Sequence, residues 1–442
     1  MSHKPKPRLS FWQVWNLSFG FLGVQIGYSL QNSNTSTIFQ SLGADVSQLS
    51  YFWLAAPIAG LVIQPIIGMF SDGTWTKLGR RIPYILGGSI ISTLALFLMP
   101  NCPMLLKFAP LAMAAFILLF MDLSFNVTMQ PFRALVTDML GDSQKTQGYV
   151  VQTFLINLGS VIGALLPLFM TWIGVSDTAE PGHVSPHIAY SYYIGGAILL
   201  CTVLVTVFKT KEYPPKEFAE YNGIEEIPAE QQEKTSFWKL LATTPKVMLQ
   251  LGITQFFSWA ALFIMWTYLK PAITGSVFDP ATGQVLAEGA TATWTGVLNA
   301  VYPVPACIMA LFLTNLANKY GNKPMYMICL VFGAIGFLGL CFLRNKYMMM
   351  IPMVGIGIAW AGILAMPYSI LSRAIDPKRA GVYMGIFNFT ITIPQICMGL
   401  FGGLIVGKIF GNNAGLMLGL AGVFMLLAAL SVFFVNEKPA ED

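Results

Sequence analysis

Long apolar stretches, each about the length that crosses a bilayer as a helix, recur from one end of this chain to the other. A span needs about 20 mostly apolar residues. Stretches of that kind lie at 11–38, 48–70, 82–100, 108–138, 146–173, 188–208, 246–270, 292–317, 324–343, 347–370, 381–407 and 413–435. Only 10% of the residues are charged, against about 25% in soluble domains. A soluble chain so poor in charge would precipitate. The expected fold class is therefore an all-α membrane protein with twelve transmembrane helices. Lys4, Lys6 and Arg8 precede the first apolar run in the manner of a signal peptide. That run carries Gln13, Asn16 and Gln25, and no small-x-small cleavage site follows it, so it reads as a retained first span.

Basic residues set the expected orientation, because cytoplasmic loops are enriched in Lys and Arg. With the N-terminus inside, the inner loops hold Lys77, Arg80, Arg81, Lys145, Lys209, Lys211, Lys216, Lys234, Lys239, Lys246, Lys319, Lys323, Arg373, Lys378 and Arg379, with Lys438 in the tail. The outer loops hold Lys107, Arg344, Lys346 and Lys408. Both termini are expected in the cytoplasm, with the chain integral to the plasma membrane, or to the inner membrane if bacterial. The net charge of +5 belongs to this asymmetry and does not point to nucleic acid. The six cysteines form no CxxC pair, so neither a disulfide framework nor a zinc site is implied. His183 and His187 are four apart, but Pro186 stands between them and a helical metal pair is not expected.

Residues 210–238 form the one substantial polar interruption, with Pro214, Pro215 and a run of Glu and Lys. It divides the chain into six spans (1–209), a cytoplasmic linker (210–238) and six more spans (239–442). A faint repeat supports the division. Gly79-Arg80-Arg81-Ile82-Pro83 after span two is similar to Gly321-Asn322-Lys323-Pro324 after span eight, and Gln130-Pro131-Phe132 in span four to Met366-Pro367-Tyr368 in span ten. Two pseudo-symmetric six-helix halves imply a carrier architecture, with a solute held near the midplane.

Asp122 is the carboxylate that falls well inside a span. An acid there is costly, so it usually faces a polar cavity and handles protons or ions. Arg133 follows eleven residues later, about three helical turns, on the same face as Asp122 and near Asn126 and Gln130. At about 1.5 Å per residue the two lie roughly 16 Å apart, too far for a direct ion pair unless Pro131 bends the helix sharply. Asp122 is thus expected to be free to exchange its proton. An embedded enzyme would need paired acids, a His cluster or a nucleophile with its base inside the spans, and the spans offer none of these.

The loop after span two reads GMFSDGTWTKLGRR from Gly68 to Arg81. It resembles the G-x-x-x-D and G-R-R/K signature of the major facilitator superfamily. Gly68 permits close helix contact, and Gly79 belongs to the same signature. Asp72, Arg80 and Arg81 can form breakable contacts as a conformational latch, with Asp138 within reach of the arginines. The second-half copy departs from the pattern, with Asn318 near the place of an acid.

A closer resemblance runs through most of the chain. It rests on GVQIGYSLQ (23–31), FWLAAPIAGLVIQPIIG (52–68), DLSFNVTMQPFRA (122–134), PYSILS (367–372), GVYMGIFN (381–388) and IPQ (393–395). Together these look like the sucrose–proton symporters, in the glycoside-pentoside-hexuronide branch of the superfamily. The resemblance implies proton-coupled uptake of a disaccharide or glycoside, maltose- or sucrose-like, by alternating access. It also implies Asp122 as proton carrier and Arg133 as a sugar-binding or coupling residue. The proton is the coupling ion and no other cofactor is expected. A sodium-coupled symporter and a proton-coupled exporter are the alternatives.

A sugar site needs hydroxyl partners and aromatic platforms rather than charge. The residues expected to line it, with Arg133, are Asn126, Gln25, Gln64, Asn157, Gln255, Trp259, Asn388 and Gln395. Gln31, Asn32, Trp53, Trp266 and Tyr302 are further polar and aromatic candidates. The expected partners are a small sugar, protons and the lipid bilayer, with the monomer as the functional unit.

Overall fold

The computed structural model describes residues 4–43, 55–178, 182–223, 237–286 and 288–437. Trp53, the expected start of span two and the linker stretch 224–236 lie outside the described residues. The membrane helices are α1 Phe11–Ser41, α2 Ala55–Gly73, α3 Ile82–Leu98, α4 Pro110–Met139, α5 Asp142–Trp172 and α6 Pro186–Lys209. After them come α7 Lys246–Ile273, α8 in two pieces (Glu288–Val301 and Pro303–Tyr320), α9 Asn322–Phe342 and α10 Met350–Ser372. Last are α11, also in two pieces (Ala380–Phe387 and Phe389–Leu404), and α12 Ala414–Ser431. Among the described residues, 10 helical stretches are long and apolar enough to cross a bilayer, from Ile82–Leu105 to Ala414–Phe434. The two remaining helices are α1, whose amides lower its hydropathy, and α2, described over 19 residues.

Several span boundaries differ from expectation for local reasons. The α5 helix starts at Asp142 rather than 146, because an acid suits a helix N-terminus and Lys145 pairs with it at 2.6 Å. The α10 helix starts at Met350 rather than 347, because Asn345 Oδ1 accepts from the amides of Tyr347 and Met348 and holds them in a turn. Span eight is longer than expected and is interrupted at Tyr302, where Pro303, which has no N–H to donate, opens the second piece. Span eleven is interrupted at Asn388 and ends in a wider turn over Ile405–Ile409.

Contacts group the chain into two compact units. The first is Met1–Thr243 with Ile375–Asn388, and the second is Thr244–Ala374 with Phe389–Ala440. In the first, α1 packs against α5 and α6 through glycines. A Cβ on Gly159 would lie 2.5 Å from Leu22 O, and one on Gly163 would lie 2.6 Å from Ile26 O. Small residues let backbones approach where lipid supplies no hydrophobic drive. In the second, α9 packs against α10 in the same way, Gly336 facing Pro352 O and Gly355 facing Phe332 O. Thr254 on α7 shares a 2.6 Å hydrogen bond with Ser431 on α12.

Candidate functional site

Asp122 is 1% exposed. Gln31 Nε2 of α1 donates to its Oδ1, and Oδ2 is buried without a partner. Among the described residues no cation stands within ion-pair distance of Asp122. One turn further along α4, Asn126 Nδ2 donates to the Asp122 carbonyl at 2.8 Å. Asn126 Oδ1 accepts from Gln64 Nε2 of α2 at 2.7 Å. Gln31 of α1 thus bonds the carboxylate itself, while Gln64 of α2 reaches Asn126, which bonds only the Asp122 backbone carbonyl. A further turn on, Gln130 Nε2 donates to Gly381 O.

The other expected residues of the first unit are placed differently. Gln25 Nε2 donates to Ser160 Oγ at 3.0 Å and joins α1 to α5. Asn157 is fully buried. Its Nδ2 donates to Thr153 O within α5, and its Oδ1 has no partner. Arg133 is half-buried, with its guanidinium 5.9 Å from the centre of the Phe21 ring. Asn388 is 6% exposed at the break in α11. In the second unit, Gln255 and Trp259 are buried one turn apart on α7, and Gln395 is half-buried on the second piece of α11.

The loop residues form a buried charged cluster. Arg81 has no exposed side-chain surface. It contacts Asp72 at 2.6 Å and Asp138 at 2.7 Å and donates to Ser71 Oγ at 2.5 Å. Arg80 Nη2 reaches Asp72 at 3.2 Å and the Lys378 carbonyl at 2.8 Å. Asp72 also accepts from the amides of Gly381 at 2.9 Å and Val382 at 2.8 Å. Gly68 is needed for this approach, since a Cβ there would sit 2.3 Å from Gly381 O. Gly79, at φ 118, turns the chain into Arg80.

Sequence reasoning names Gln31 without singling it out, and misses Glu212, Phe218 and Glu437. Gln31 was one amide among many, and only packing selects it as the partner of Asp122. Glu212 Oε1 accepts from the amides of Arg81 at 2.8 Å and Ile82 at 2.9 Å, satisfying the N-terminus of α3. Burial holds the Glu212 carboxyl above the usual carboxylate range. Phe218, on the short helix Pro215–Tyr221, covers the Arg80 guanidinium at 4.9 Å. In the second unit Glu437 gathers Asn322 at 2.6 Å and Arg373 at 3.3 Å, on the side where Asn318 had departed from the signature.

The many-helix membrane scaffold, the buried acid bonded to an amide among the described residues and the buried arginine cluster at a helix-joining loop are the features that the comparisons with known proteins place in a family of transporters. A family model described as MFS/sugar transport protein matches residues 38–415. The chain belongs to that family of the major facilitator superfamily. It is 24% identical over 454 residues to the sucrose transport protein SUC4 of Arabidopsis thaliana, covering 91% of this chain and 86% of that one. Over 215 residues it is 27% identical to the general alpha-glucoside permease of Schizosaccharomyces pombe, covering 46% of this chain and 38% of that protein. Among solved structures, the transporter FucP in the outward conformation superposes with a TM-score of 0.72 at 14% identity, over 97% of this chain and 99% of that one. The proton:xylose symporter XylE bound to 6-bromo-6-deoxy-D-glucose gives 0.71 at 12% identity, over 96% of each chain. These likenesses establish the major facilitator fold.

Proposed function

We propose that this protein is a proton-coupled symporter that imports a disaccharide or glycoside, sucrose- or maltose-like, by alternating access, with Asp122 as the proton carrier. The observation that carries the reading is Asp122 itself. Among the described residues it is a buried acid with an amide on one oxygen, nothing on the other and no cation beside it. Such a group changes charge when it gains a proton, and the neutral form crosses apolar surroundings at lower cost. The names of the relatives, sucrose transport protein and alpha-glucoside permease, support the substrate class. The fold neighbours described as fucose:proton and proton:xylose symporters support the coupling ion.

In this reading Gln31 holds the acid through its carboxylate, and Asn126 and Gln64, bonded to each other beside it, belong with the sugar-side residues. Arg133, Gln25, Asn157, Gln255, Trp259, Asn388 and Gln395 are the sugar-side residues, and the Gly68, Asp72, Gly79, Arg80, Arg81 and Asp138 cluster is the latch. Residues 1–209 and 239–442 are the two six-helix halves, with 210–238 as linker and both termini in the cytoplasm of a plasma-membrane monomer. One proton crossing about 100 mV supplies roughly 2.3 kcal/mol, which supports roughly forty-fold accumulation. Asp122→Asn in proteoliposomes should abolish accumulation driven by a proton gradient while leaving sugar exchange. Uptake against a gradient by this variant, or uptake by the native chain that follows sodium and ignores a proton ionophore, would overturn the assignment.

A further inference from the structure

Two acceptors are left over where α1 meets α4. Gln31 is 0% and Asp122 1% exposed. Gln31 Nε2 donates to Asp122 Oδ1. Among the described residues, Gln31 Oε1 and Asp122 Oδ2 are both buried without a partner. Each belongs to the same planar group as an atom of the existing bond, one bond angle away from it. An amide oxygen can only accept, and so can an ionised carboxylate. A buried acceptor left unmet is costly, and here a bonded pair carries two of them.

The neighbouring polar groups are engaged elsewhere. Tyr28, one turn before Gln31 on α1, is the titratable group that acts electrostatically on Asp122 among the described residues, and its hydroxyl is paired with Asn32. On α4, Asn126 gives its nitrogen to the Asp122 carbonyl and its oxygen to Gln64 of α2. Ser124 donates to Met121 O and accepts from Ser92 of α3.

A single proton meets both needs. On Oδ2 it turns that oxygen into a donor, and the free oxygen of Gln31 is the matching acceptor. We propose that protonated Asp122 and Gln31 close a two-bond ring between α4 and α1, with Gln31 as the positioning residue for the coupling proton. The amide N–H meets the carboxyl C=O, and the carboxyl O–H meets the amide C=O. The arriving proton forms the Oδ2–H bond and later leaves from the same oxygen, so no other covalent bond changes. This rests on the proton-carrier reading above and adds what the proton does on arrival. It cancels the charge and, in the same step, satisfies every polar atom of the pair. Protonation also doubles the hydrogen bonds that join α1 to α4 at this point.

The test uses the full chain in proteoliposomes, with a ¹³C label on the glutamine side-chain carbonyls, read by infrared difference spectroscopy between alkaline and acid buffer. Acidification should bring up a protonated-carboxyl C=O band that is missing in Asp122→Asn. In the same titration one labelled glutamine band should move to lower frequency, because that carbonyl gains a donor. Gln31→Leu should lose the glutamine shift and move the carboxyl band to higher frequency. Melting temperatures of the variants check folding, and the native glutamine shift is decisive whether or not Gln31→Leu folds. A native carboxyl band with no accompanying glutamine shift, or a carboxyl band in folded Gln31→Leu at the native frequency, overturns the ring and leaves Asp122 as the proton carrier. If Asp122→Asn removes no such band at any pH where the native chain accumulates sugar, the proton-carrier reading falls and the ring with it. The amide in Asp122→Asn closes the same ring without a proton, so adding Gln31→Leu to it should slow sugar exchange about tenfold. Exchange unchanged by that addition overturns the part of the ring in the crossing.

Discussion

Asp72→Asn tests the charged cluster most directly. The native carboxylate accepts from two backbone amides of α11, Gly381 onto Oδ1 at 2.9 Å and Val382 onto Oδ2 at 2.8 Å. Asparagine keeps one acceptor and presents an NH2 group where the other stood. The substitution removes one charge-assisted bond, about 2 kcal/mol, and weakens the second by up to about 1 kcal/mol. Arg81 keeps Asp138 and Ser71 as partners, so the guanidinium is not stranded. The sum, about 2–3 kcal/mol, corresponds to local opening of Ala380–Phe387 increased about 30- to 140-fold. Amide hydrogen exchange in nanodiscs reads that opening directly. Exchange at Gly381 and Val382 should accelerate by that factor, while α5 and α6 keep their native rates. If those two amides exchange within threefold of native in a variant with an unchanged melting temperature, the carboxylate is not what holds this segment.

Three further outcomes are expected. Gly68→Ala should lower the melting temperature through an overpacking cost of about 1–3 kcal/mol, whereas Gly73→Ala, with nothing within 4 Å of its added Cβ, should leave it unchanged. Glu212→Ala strands two α3 amides at a cost of about 1–3 kcal/mol each, while Glu212→Gln retains an acceptor. Because burial raises the Glu212 carboxyl, its contribution falls as pH climbs from the ordinary carboxylate value through the raised one. Melting curves against pH should therefore show the Gln variant gaining on native as the pH rises. In the loop 274–286, the hydrogen bond from Lys346 holds Asp279 below the usual carboxylate range, and the same bond holds Lys346 above its ordinary value. The Asp279 contribution is full above its ordinary pKa and lost as pH falls through the lowered one. The Lys346 contribution is full below its ordinary pKa and lost as pH rises through the raised one. Lys346→Met should flatten the acid limb of amide exchange in Phe278 to Leu286, and an unaltered acid limb would count against the pairing.

How much was legible follows from the range of the interactions. Spans could be read because each apolar run is local, and the Asp72–Arg81 loop because its residues are close in the chain and carry opposite charge. The three-turn spacing of Asp122 and Arg133 could be read from helix geometry alone. The partner of Asp122 could not. Gln31 lies 91 residues away, and nothing in the chain separates it from Gln25, which turns instead to Ser160. Glu212 reads as one more acid in a polar linker until its oxygen is seen against two amides 130 and 131 residues away. The boundaries that shifted, at Asp142, Met350 and Tyr302, did so through an acid in the first helical turn, a side-chain-held turn and a proline, which act within a few residues and escape a 20-residue hydropathy window.

The polarity of α1 bears on how the chain is made. Its amides are matched by groups that emerge from the ribosome much later, Asp122 for Gln31 and Ser160 for Gln25, and Thr206 Oγ1 donates to the Asn16 carbonyl. A helix this rich in amides is a poor substrate for lateral release into lipid by itself. Its stable integration is therefore expected to follow the synthesis of α4 to α6. Nascent chains that stop before Asp122 should leave the first helix extractable by alkali, and those that reach beyond Thr206 should hold it fast.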